Sequence, residues 1–112
     1  MIWAHLISYF FAGAFLTNAI PHFVSGLEGR PFQSPFAKPH GKGLSSSTIN
    51  VLWGFFNLVV GYLLMVRVGS FDWHAWSHVI ALGLGTLLKG VMGARNFGRY
   101  NGGNSPEGSP KP

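Results

Sequence analysis

His5, His22, His78 and Lys89 are ionisable side chains inside or at the edge of long apolar runs, where each is by default a functional suspect. His74 and His78 are spaced i and i+4, which puts both rings on one helical face if the helix has begun by His74. His5 lies at a similar depth on a different apolar run, and Asp72 is close by in sequence. Three imidazoles and a carboxylate can bind a transition metal, and two imidazoles from separate helices can hold haem. His5, His74 and His78 are therefore the candidate ligands of a haem- or metal-binding redox protein. Against that stand the absence of a His-Glu-x-x-His pattern, the absence of any Cys for covalent haem attachment, and three neighbouring tryptophans, Trp3, Trp73 and Trp76, that suit an interfacial aromatic belt equally well. The expectation is thus no resident cofactor, with haem, a metal or a quinone as the alternatives.

A second polar group is offered where the first apolar run ends. Pro21 cannot donate to the carbonyl of Thr17, and that carbonyl with Asn18 and His22 makes a small polar pocket. It reads as a satisfied helix terminus or as a site for a headgroup, a quinone ring or a proton. Acid/base catalysis has little to work with: the three carboxylates, Glu28, Asp72 and Glu107, fall in separate segments. No nucleophile has an adjacent base and orienting acid. Gly41-Lys42-Gly43 is not a phosphate loop, because position 36 is Phe and position 43 is Gly where the Walker pattern needs Gly and Ser or Thr. The residues predict a protein that is not an enzyme.

The elements carrying these residues are legible from hydropathy. Apolar runs over 2–24, 48–67 and 75–94 each match the roughly 20 residues that cross a bilayer as a helix. The chain has 112 residues, 47% of them apolar and only 10% charged, too little charge for an ordinary soluble domain. This predicts an all-α integral membrane protein of three transmembrane helices, a single domain over 1–94 followed by a tail over 95–112. The first run lacks a preceding Lys or Arg, is longer than a signal-peptide core and ends in Pro21-His22-Phe23, so it is expected to be retained. A formal charge of +5 without a basic helix or basic-aromatic strand outside the spans points to topology and anionic lipid, not nucleic acid.

Three crossings put the first loop and the tail on one side. Arg30, Lys38, Lys42, Arg95, Arg99 and Lys111 lie there, against Arg67 alone on the other, which predicts an N-out, C-in orientation in a bacterial cytoplasmic membrane. The loop over 25–47 repeats Pro every fourth residue at Pro31, Pro35 and Pro39 and is expected to be extended or polyproline-like. Its Phe32 and Phe36, with Arg30, Lys38, Lys42, Arg95 and Arg99, are expected to contact lipid or a partner. One of the hydroxyls of Ser45, Ser46, Ser47 and Thr48 should cap the second helix, and Lys89, about five residues from the expected end of its helix, should snorkel to the headgroups.

At 100° per residue, Asn50, Gly54, Asn57 and Gly61 share one stripe of the second helix. Without a hydrophobic force between helices in lipid, small residues and interhelical amide bonds supply the packing. Asn18 and His22 on the first helix are the partner stripe, with depth setting Ala14 or Phe11 opposite Asn57 and Asn18 nearer Asn50. The third helix offers two packable faces, Gly83 with Thr86, Gly90 and Gly93, and His78 with Gly85, Lys89 and Met92. The pattern predicts an accessory subunit that packs against other membrane subunits or copies of itself. The alternative is a homo-oligomeric solute or ion transporter lined by Asn50, Asn57 and Lys89.

Overall fold

The computed structural model describes residues 2–103. Lys111 and the rest of the Gly/Pro/Ser-rich segment 104–112 lie outside the described residues. Three helices are long and apolar enough to cross a membrane, over Trp3–Leu27, Ser47–Val68 and Trp76–Asn101, which makes the chain all-α in its main architecture and a membrane protein by composition and length.

Helix α1 spans Ile2–Leu27 and runs through Pro21. It stops because Gly29 takes a left-handed φ of 74°, and the Gly29 and Arg30 amides then bond back to Gly26 and Ser25. Two short strands, β1 (Phe32–Gln33) and β2 (Leu44–Ser45), pair antiparallel with Phe32 opposite Ser45. The expected extended loop is thereby corrected. Its prolines lie between and beside the strands, where no ladder amide is needed, and the chain folds back into a ribbon over the end of α1. Helix α2 (Ser47–Tyr62) starts at Ser46, whose hydroxyl accepts the Ile49 amide at 3.1 Å, and passes into a π-helical stretch over Leu63–Val68. Helix α3 covers Trp76–Asn101 and ends at Gly102, with φ 81°.

The end of α3 is a correction to the sequence reading. The drop in hydropathy after Ala94 marks the end of the apolar run but not of the helix, since Arg95, Asn96, Phe97, Arg99 and Tyr100 are all tolerated on a helix that leaves a membrane. Lys89 therefore lies near the middle of a 26-residue helix rather than close to its end.

Helix α1 is the centre of the molecule. It packs against α2 on one side and α3 on the other, while α2 and α3 make no comparable contact with each other. The helices form a layer rather than a closed bundle, with principal extents of 47 × 31 × 22 Å. Contacts along the seams run in opposite senses for α1 with α2 and in the same sense for α1 with α3. The N-terminus and the 69–75 turn thus share one end of the layer, and the β1–β2 ribbon and Asn101 share the other.

Candidate functional site

The α1/α2 seam is sealed along its length. A Cβ on Gly26 would meet Ser47 and Val51, one on Gly54 would meet the backbone of Phe23, one on Gly61 the side chain of Leu16, and one on Gly69 the ring of Tyr9. Asn50, Gly54, Asn57 and Gly61 are all buried, so the predicted stripe is the contact face. Its pairings differ from expectation. Asn18 donates to Asn57 Oδ1 at 3.1 Å, while His22, not Asn18, meets Asn50. The reason is register: α1 continues to Leu27, beyond the expected end, and slides the amide partners by about one turn.

Asn50 is the hub at the ribbon end. Its Nδ2 lies within hydrogen-bond reach of the Phe32, Ser45 and Ser46 carbonyls at 3.0–3.2 Å, which leaves Oδ1 to accept from His22 Nδ1 at 2.8 Å. One buried amide thus ties α1, the ribbon and α2 together. Asn57 donates to the Trp53 carbonyl at 2.7 Å while accepting from Asn18.

The α1/α3 seam behaves differently. It is tight at the level of Gly13, where a Cβ would overlap the Leu82 carbonyl, and of Gly85, where it would overlap the Phe10 carbonyl. Toward the ribbon the helices part. A Cβ on Gly90 would find only the Thr17 methyl at 3.9 Å, and one on Gly93 only Phe97 of its own helix. Past that opening the two helices are joined through β1. Phe32 packs on Phe97 with ring centroids 4.7 Å apart, His22 sits edge-on to both rings, and Gln33 and Asn101 exchange two amide bonds of 3.1 and 3.2 Å.

The opening is a cleft. One part, of about 440 Å³, is lined by Asn18, His22, Ser34, His40, Lys42, Trp53, Lys89 and Tyr100 among others. An adjoining part, of about 350 Å³, runs along Thr17, Pro21, Gly90, Gly93, Ala94 and Phe97 and is walled almost wholly by carbon. A smaller recess on the face of α1, flanked by α2 and α3, is lined by Ala14, Phe15, Asn18, Trp53, Asn57 and Lys89. Lys89 and Asn18 border all three. Two groups here are left uncompensated. Trp53 Nε1 is buried with no hydrogen-bond partner among the described residues, at a typical cost of roughly 1–3 kcal/mol. Lys89 is half-buried and forms no hydrogen bond or ion pair with the described residues. Lys89 borders this cleft on the helix face that also carries Gly85, the face turned toward α1.

At the opposite end Tyr9 is the organiser. It is fully buried, accepts the Ser70 amide on its hydroxyl at 2.8 Å, and packs edge-on against Phe71 and tilted against His78 at 4.6 Å. Ser8 donates to the Leu64 carbonyl within the π-helical stretch, where the usual ladder is interrupted. His78 Nδ1 accepts the Asp72 amide, Asp72 accepts the His74 amide, and His5 reaches only the Tyr9 ring, at 6.4 Å. Among the described residues no three His, Cys, Asp or Glu side chains gather closely enough to hold a metal ion. The predicted His5, His74 and His78 group is instead held apart by the Tyr9 ring and a turn at Asp72.

The remaining predicted residues divide. Gly83 is exposed with nothing near its Cβ position and Gly90 is nearly open, so neither packs within the chain; Gly85 on the other face does. Phe36 is 62% exposed yet lays its ring against Trp53 at 5.1 Å. Arg30 pairs with Glu28, Lys38 is exposed, Lys42 borders the cleft, and Arg95 and Arg99 are exposed on the last turns of α3. Sequence reasoning missed Tyr9, Gly13, Trp53 and the Gln33–Asn101 pair. Of these, Gly13 had a signal, an isolated glycine in a helical run.

Comparison with family models, with curated proteins and with solved structures found no match to this chain.

Proposed function

We propose that the chain is a small non-catalytic subunit of a larger assembly in a bacterial cytoplasmic membrane, N-terminus outside, docked through the outward flank of α3 onto a transmembrane helix of another polypeptide. The observation that carries this reading is the glycine distribution on α3. Each glycine inside a helix costs about 1 kcal/mol relative to alanine. Gly85 offsets that by its close approach to α1, but Gly83 has no neighbour and Gly90 almost none. With Ala94 they fall within about 40° of one line. Close approach of a second helix is the usual use of such positions in lipid, and Gly85 is the only buried residue of the helix among those described. The loop and helix-end cations Arg30, Lys38, Lys42, Arg95 and Arg99 all cluster at the ribbon end, which supports that end being cytoplasmic.

The test exploits the empty surroundings of Gly83. Gly83→Leu costs the isolated chain nothing in packing, so any effect on assembly reports the partner. Native mass measurement in mild detergent should show the parent chain with unrelated chains and Gly83→Leu alone. A ring of identical chains, or an unchanged complex in Gly83→Leu, would contradict the reading.

A further inference from the structure

We propose that the cleft at the open end of the α1/α3 seam binds a single anionic amphiphile, a phosphate-headed lipid. Its headgroup would lie between Lys89 and the ribbon-side cations, and a hydrocarbon chain would run along Gly90, Gly93 and Phe97.

Three observations meet there. The first is shape and polarity: two adjoining cavities, of about 440 and 350 Å³, share Asn18, Lys89, Gly93 and Phe97, and one is polar while the other is walled by carbon. A molecule filling both has a polar head and an apolar chain. The second is charge. Lys89 and Lys42 border the polar part, beside His40, and no carboxylate lines either part. Of the described carboxylates, Glu28 is occupied by Arg30 and Asp72 belongs to the other end of the layer. An ammonium beside an apolar cavity with no counter-charge among the described residues selects an anion, and a phosphate offers the acceptor oxygens as well. The third is the Trp53 N–H, a buried donor with no acceptor among the described residues. A quinone would satisfy the N–H but leave the ammonium uncompensated, so charge decides for the phosphate.

The α3 flank assigned to a partner helix shares Gly90 and Ala94 with the edge of the apolar part, whereas Gly83, the position that tests the flank, borders neither cavity, so the two tests remain separate. The test uses the full chain in phosphatidylcholine vesicles with Trp3, Trp73 and Trp76 changed to Phe, leaving Trp53 as the single fluorophore in the site. Brominated phosphatidylglycerol should quench Trp53 half-maximally at about a fivefold lower mole fraction than brominated phosphatidylcholine, the factor one cation contributes near an anionic lipid. Lys89→Gln should remove that preference and Lys89→Arg should keep it. If Lys89→Gln loses its helical circular dichroism, Lys42→Gln takes its place and should lower the preference. Equal quenching by the two lipids in the parent chain, or a preference that survives the glutamine variants, overturns the proposal. Inorganic phosphate that abolishes the preference would assign the site to a free anion. A short-chain quinone that quenches parent and Lys89→Gln alike, where the lipid shows no preference, would assign it to a neutral ring. Either result contradicts the amphiphile.

Discussion

The two seams of α1 are built from the same residue types and end differently. Against α2, glycines at 26, 54, 61 and 69 allow contact from one end to the other, and the polar residues that fall between them find each other: Asn18 with Asn57, His22 with Asn50, Tyr9 with the Ser70 amide. Against α3, the glycines in close contact across the seam are Gly13 and Gly85, at one level, and further along Lys89 and Trp53, whose N–H has no acceptor among the described residues, border a cleft. Glycine spacing along a seam therefore decides more than distance. Where glycines recur along the whole seam, amide pairs can close across it; where they are in close contact at one level only, polar groups further along are left for something else to satisfy.

The contrast can be broken most severely at its single tight point. Gly85→Leu drives a side chain into the Phe10 carbonyl, and the overpacking should cost about 3 kcal/mol or detach α3 altogether, read as a shifted midpoint in detergent-mediated unfolding. Gly83→Leu should leave that midpoint unchanged. Next in size is Asn50→Leu, which strips the partner from His22 and from three backbone carbonyls at once. It should cost about 2–3 kcal/mol and expose the 28–46 segment to faster amide exchange. Asn57→Leu removes one interhelical amide bond within a seam otherwise held by glycine, and about 1 kcal/mol is expected in the same unfolding assay. The smallest effect belongs to Tyr9→Phe, which keeps the ring contacts and loses only the bond from the Ser70 amide, for roughly 0.5–1 kcal/mol.

Much of the α1/α2 seam was legible in the sequence, because Asn50, Gly54, Asn57 and Gly61 recur at helical spacing in a run with little other polarity. Its register was not, since Leu27 follows Val24 across a serine and a glycine and hydropathy gives no sign that the helix continues. The α3 faces were both visible, but the choice between Gly83 and Gly85 depends on which side α1 approaches, a tertiary fact. Trp53 was hidden for another reason: an indole in an apolar run looks like any aromatic until its N–H is found without an acceptor. The cleft needed both the helical continuation past Ala94 and the ribbon, and prolines at 31, 35 and 39 gave no hint that Phe32 and Leu44 flank a two-stranded turn.

Cysteine accessibility tests the difference between the seams most directly, as the chain has no cysteine of its own. Gly93→Cys lies in the opening, where the new Cβ meets only Phe97, and Ala19→Cys lies at a fully buried position of α1. In protein purified in detergent and stripped of bound lipid, a water-soluble maleimide should modify Gly93→Cys readily and Ala19→Cys only after denaturation. Equal protection of both, or ready modification of Ala19→Cys in the folded protein, would contradict the account.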